Sequence, residues 1–166
     1  EKREDEFFIS LKERGVVSEY CKIRNKELAQ LYFAIFVKRG FTDFEFPLMT
    51  LINDIEDIEI LKEYLTREQL DDFYSVDSRT KGKINFSTKL NKIYFIDASD
   101  NEYNLFYLPN RIFQTFYVSI VKLKTIKEWM IQLNGDNGLV DEYEATLLGY
   151  SSEGLSRSDL FVTKEK

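Results

Sequence analysis

Lys92-Ile-Tyr-Phe-Ile96 and Glu102-Tyr-Asn-Leu-Phe-Tyr-Leu108, joined by Asp97-Ala-Ser-Asp-Asn101, are the stretch on which the fold turns. Two runs rich in aromatic and β-branched residues flank a cluster of turn-forming residues, which predicts strands near 91–97 and 102–108. Upstream, Lys83-Ile-Asn-Phe-Ser87 alternates polar with apolar and adds a strand near 82–87, completing a small antiparallel three-stranded meander. Downstream, Pro109 ends the sheet and Asn110 is placed to cap a long helix over 110–133. Phe113, Phe116, Ile120, Leu123, Met130 and Leu133 recur along it at helical spacing, so the helix is expected to pack on the sheet.

The flanking segments read as helical. Phe7, Phe8 and Leu11 fall on one side of a helix over 5–14 that stops before Gly15, and a second helix starts near Ser18 or, more firmly, at an Asn25 cap. From Lys26 to Arg39 the apolar residues Leu28, Leu31, Tyr32, Ile35 and Phe36 follow an i, i+3, i+4 pattern. Phe33, Ala29, Ala34 and Val37 widen that stripe, which predicts a helix packed on more than one side, with Gly40 as its left-handed cap. Phe41 to Phe46 alternates like a short edge strand before Pro47. Asp54–Leu65 and Thr66–Val76 read as two further helices, the second opened by a Thr66/Gln69 capping box. Short C-terminal helices are expected from Asp141 to Gly149 and over 151–162. The fold class is therefore α+β: an N-terminal helical layer, a small sheet, and a long helix upon it. The length suits one globular domain over 1–166. A first residue that is not methionine is consistent with a piece of a longer chain.

Composition removes several mechanisms. The chain of 166 residues has no histidine, so it cannot build a Ser-His-Asp triad, a Cys-His pair or a His-ligated zinc site. Cys21 is the lone thiol, which excludes an intramolecular disulfide and a CxxC pair and points to a reducing, cytoplasmic setting. No signal peptide or membrane-spanning run is legible, so no membrane partner is expected. Neither a GxxxxGK[ST] nor a GxGxxG frame occurs, and no cofactor is expected. The net charge of −6 is unevenly distributed: residues 1–76 sum to −6, 77–127 to +5 and 128–166 to −5.

Three functional readings follow from these patterns. The leading one is a non-catalytic protein-interaction domain, of the inhibitor or immunity kind, that presents Glu56, Glu59 and Glu63 as an acidic surface to a basic partner. Tyr and Phe are abundant and supply contact area at low conformational cost. The second reading is single-stranded nucleic-acid binding over residues 79–107. Here Lys83, Lys89, Lys92 and Tyr94 would combine phosphate attraction with base stacking. The third is a metal-dependent enzyme. Glu56-x-x-Glu59 and Glu68-x-x-Asp71, placed on two antiparallel helices, resemble the magnesium site of all-α nucleoside triphosphate pyrophosphohydrolases of the MazG type. The likeness covers those few residues, at a shorter interval than that family uses. It implies magnesium held by Glu56, Glu59, Glu68 and Asp71 for hydrolysis of a phosphate ester or nucleotide. Asp97, Asp100 and Glu102 form another carboxylate cluster, at the expected hairpin tip, where oxygen ligands for a cation and ordinary turn chemistry look alike. Binding ranks ahead of catalysis.

Overall fold

A computed structural model describes residues 2–3, 6–13, 16–134 and 144–148. The chain opens with strands where a helix was expected. β1 (Lys2–Arg3), β2 (Glu6–Glu13) and β3 (Val16–Ile23) form an antiparallel sheet in that order. Phe7 faces Ile23 and Ile9 faces Cys21 across the β2–β3 ladder, and Ile9 and Ile23 are buried. A short apolar run such as Phe7-Phe8-Ile9 fits either period, and what decides is non-local pairing with the β-branched run that begins Val16-Val17. The N-terminal helical layer is thus replaced by a hairpin, and Ser18 lies in β3.

Helix α1 (Lys26–Phe41) begins where Asn25 predicts, the Asn25 side chain accepting the Leu28 N–H at 3.0 Å. It runs through Gly40, which is an interior residue of the helix and not its left-handed cap; Thr42 closes the helix in extended conformation. Residues 42–47 form no strand. Their alternation instead aims Phe44 at Trp129 (5.8 Å between centroids) and Phe46 at the edge of Tyr117 (6.3 Å). After α2 (Met49–Ile52), Asp57 caps α3 (Ile58–Arg67) by accepting the Glu59 N–H at 2.8 Å.

The helix expected from Thr66 to Val76 does not form. Gln69 takes a left-handed φ of 57°, while the Leu70 N–H donates to Leu65 O and the Gln69 N–H to Thr66 O, each at 3.0 Å. This is the Schellman closure of α3, with buried Leu65 and Leu70 as its apolar clasp. A single 3-10 turn (Asp71–Phe73) then leads into β4 (Tyr74–Val76).

The expected meander is present as β5 (Ile84–Ser87), β6 (Lys92–Ile96) and β7 (Glu102–Asn104), the last shorter than expected. It belongs to a four-stranded sheet of order β4-β5-β6-β7, because β4 adds to β5 in parallel. Tyr74, Ile84, Phe86, Ile93, Phe95 and Tyr103 share one face, and α4 (Ile112–Asn134) lies against it. Phe116 meets Tyr74 edge-on at 5.8 Å and Phe86 at 5.5 Å, and Phe113 meets Phe86 at 5.8 Å. Asn110 caps nothing: Pro109–Arg111 is a 3-10 turn that feeds directly into α4. On the other side of α4, residues Tyr117, Ile126, Trp129 and Met130 join the core with α1 and the short helix α5 (Glu144–Leu148). The helix expected over 151–162 lies outside the described residues. No helix among the described residues is long and apolar enough to cross a membrane.

Candidate interaction surface

The acidic segment lies around α3. Glu56 is exposed ahead of the helix, Glu59 is paired with Lys62 at 2.8 Å, and Glu63 stands 3.9 Å from Arg67. Residues 54–68 hold six carboxylates against those two cations, so the segment stays acidic despite its internal pairs. Glu56, Glu59, Glu68 and Asp71 do not assemble: no group of three potential metal ligands occurs among the described residues. The reason is local. Glu68 caps α3 and Asp71 sits in the 3-10 turn, its Oδ1 accepting from Thr66 Oγ1 at 2.8 Å and from the Tyr74 hydroxyl at 3.3 Å.

The basic region is compensated in part within the fold. Ser75, Asn85, Tyr94 and Asn104 stand in register across the outer face of the four-stranded sheet. Lys92, on that same face, pairs with Glu102 and lies 5.0 Å over the Tyr94 ring. Lys83 Nζ donates to Asp71 O at 3.1 Å, and Arg79 pairs with Asp100 at 2.5 Å. Lys89 is exposed on the β5–β6 turn. Phe95 and Tyr103, two of the aromatics of this region, lie on the core face instead, with rings 6.3 Å apart. Among Lys83, Lys89, Lys92 and Tyr94, Lys92 is charge-paired and stands over the Tyr94 ring, whereas Lys83 and Lys89 have no carboxylate partner among the described residues.

The hairpin-tip carboxylates are used by the turn itself. Buried Asp97 accepts the Asn101 N–H at 2.8 Å, the Asn101 amide at 2.9 Å and the Tyr103 hydroxyl at 2.9 Å. Burial pushes the Asp97 carboxyl upward, but those donors outweigh it and hold the group below its ordinary value. Burial, reinforced by the Asp97 carboxylate, pushes Tyr103 up to about 12. The depressed Asp97 value gives stability that is fully present above the pKa of an unfolded aspartate and is lost as pH falls through the folded value. Asp97→Ala is expected to cost about 1–3 kcal/mol at pH 7, because it removes the buried acceptor shared by the Asn101 N–H, the Asn101 amide and the half-buried Tyr103 hydroxyl. Urea unfolding at pH 7, 4 and 3 checks this: the gap between wild type and variant should narrow toward pH 3, and a gap independent of pH would refute the carboxylate account.

The surface that sequence reading missed is on α1. Tyr32, Ile35 and Ala29 face the core, whereas Phe33, Val37 and Phe41, spaced i, i+4, i+8, are 54%, 37% and 88% exposed. Ala34 extends the same stripe, and Lys26, Glu27, Gln30 and Lys38 border it. Beside it, Phe7–Ser10 of β2 and Ala29, Gln30 and Phe33 of α1 line a hollow of about 270 Å³. At the end of this strand Glu6 pairs with both Lys22 and Arg24, at 2.6 and 3.4 Å. The signal was in the sequence: Phe33, Ala34, Val37 and Phe41 lie outside the Leu28, Leu31, Tyr32, Ile35 and Phe36 stripe, so the helix carries a wider apolar arc than one core-facing stripe. Comparison of the chain with protein-family models, with curated proteins and with solved structures finds no match.

Proposed function

We propose that this chain is a non-catalytic protein-interaction domain that docks a basic partner protein. The observation that carries this reading is the exposed Phe33-Val37-Phe41 stripe beside the β2 hollow. Exposed apolar side chains are ordinary singly, but a contiguous stripe next to a side-chain-sized hollow is what a partner's apolar anchor fills. The charge of the partner is read from the chain's own: a net −6, with six carboxylates concentrated over residues 54–68, accelerates encounter with a basic protein. Glu56, Glu59 and Glu63 act in that steering, while the α1 stripe supplies buried contact.

The test is a pair of variants assayed against the protein captured by the wild-type chain. Phe33→Ser/Val37→Ser/Phe41→Ser should weaken binding by at least ~10-fold, mostly through faster dissociation, with folding stability changed by less than about 1 kcal/mol. Glu56→Lys/Glu59→Lys/Glu63→Lys should slow association several-fold and flatten its salt dependence. Binding that survives the first variant rejects the α1 surface. A wild-type dimer in sedimentation that the same variant dissolves would assign the stripe to a second copy of the chain instead.

A further inference from the structure

We infer that a groove along α4 is a binding site for a small organic anion, its carboxylate or phosphate group held by Lys122 and its body lying toward Arg111 at the other end. This site is separate from the α1 stripe and stands or falls independently of it. The groove, of about 750 Å³, runs between α4, α2, the connection after β7 and Leu148 of α5. Arg111 and, on α4 proper, Thr115, Val118 and Lys122 line it at a spacing that keeps them on one helical face. No carboxylate is among its described lining residues, although the chain as a whole is acidic.

Lys122 is the reason to expect a ligand. It is half-buried on the groove wall, and burial, with the nearby Arg39 charge second, lowers its pKa. Its ammonium lies 6.0 Å over the Phe44 ring, and no carboxylate among the described residues comes within ion-pair distance. Arg39, outside the groove lining, donates to Leu147 O at 2.7 Å. A half-buried ammonium without a counter-ion is costly, and the cheapest remedy that leaves the fold intact is an anion from solution. On the groove wall the Gln114 amide nitrogen donates to Asn53 Oδ1 at 2.7 Å.

Size and field choose the ligand class. The volume falls within the range of small-molecule sites. Eleven residues of rise separate Arg111 from Lys122, roughly 16 Å along the axis, so an organic body has room between two cationic ends. A long polyanion would reach past the groove into the field of an acidic protein, whereas a small anion keeps its charge within a Debye length of these cations.

The experiment measures thermal shift and calorimetric affinity with citrate, adenosine monophosphate and inorganic phosphate at fixed ionic strength, with a ten-residue thymidine oligonucleotide and pentaglutamate as macromolecular arms. Citrate or adenosine monophosphate should raise the midpoint above that in chloride, and the tighter of the two tells carboxylate from phosphate. Lys122→Met should weaken that binding by at least ~10-fold while raising the ligand-free midpoint by a few degrees, because it removes an uncompensated half-buried charge. Arg111→Gln should weaken binding several-fold without moving the ligand-free midpoint. The inference is overturned if neither organic anion shifts the midpoint, if Lys122→Met binds as wild type, if inorganic phosphate binds as tightly as both organic anions, or if either macromolecular probe binds tighter than both.

Discussion

Phe116→Ala is expected to destabilise the protein by about 3–5 kcal/mol. Phe116 is fully buried and forms the joint between the two halves of the core: its ring stands edge-on to Tyr74 of β4 and tilted against Phe86 of β5. Truncation removes the transfer energy of a phenyl ring and leaves a cavity between a helix and a sheet, neither of which can close it without dragging its own neighbours. Aromatic pairs add roughly 0.5–1.5 kcal/mol each beyond burial, and two are lost here. Phe113, one turn earlier and only half-buried against Phe86, should cost less when truncated. Urea unfolding of both variants at pH 7 measures the difference. A loss below about 1 kcal/mol for Phe116→Ala would show that α4 does not pack on the sheet through this face.

The second large effect is expected from a polar residue. Asn85 is completely buried in β5, on the outer face of the sheet, where its side chain accepts the Thr80 N–H at 2.8 Å. Its amide nitrogen donates to Thr80 O at 3.0 Å and to Lys83 O at 2.8 Å. These bonds pin the connection over residues 77–83 across the sheet, and they explain how so short a link joins two parallel neighbours, which ordinarily needs a dozen or more residues. Asn85→Ala should cost about 2–4 kcal/mol, since three backbone groups lose their partner at a buried position. Asn85→Asp keeps the acceptor for Thr80 but loses both donated bonds, and should cost nearly as much. Hydrogen exchange should show faster opening at 77–83 than in α4. Equal protection in the variant and the wild type would mean that the Arg79–Asp100 pair, not Asn85, holds the connection.

The helices and strands that were legible are those whose pattern is long or bounded by strong local chemistry. α4 and the β5-β6-β7 meander carry sustained periods, and α1 carries both a period and an Asn25 cap that holds as read. The failures share a cause. Residues 6–13, and residues 66–76 at and beyond the end of α3, present apolar spacings compatible with two periods, and the outcome depended on a partner distant in the chain. Val16–Ile23 captured the first, while the Gln69 turn freed Tyr74–Val76 for β5 in the second. Charges followed the same rule. Arg79 and Asp100, or Lys92 and Glu102, look like free surface groups in a linear count and are partners in space.

What the sequence by itself determined is the chemical inventory: no imidazole, a single thiol, an acidic total and no phosphate-cradling frame. Those are statements about which atoms exist, and no folding can alter them. It also determined the elements whose stability is local. Only the tertiary structure decided which apolar residues stay uncovered, as Phe33, Val37 and Phe41 do, and which cation has no carboxylate beside it among the described residues, as is true of Lys122. Exposure and charge pairing are relations between segments far apart in sequence, and the energy of each is set by the distance and burial that folding brings about.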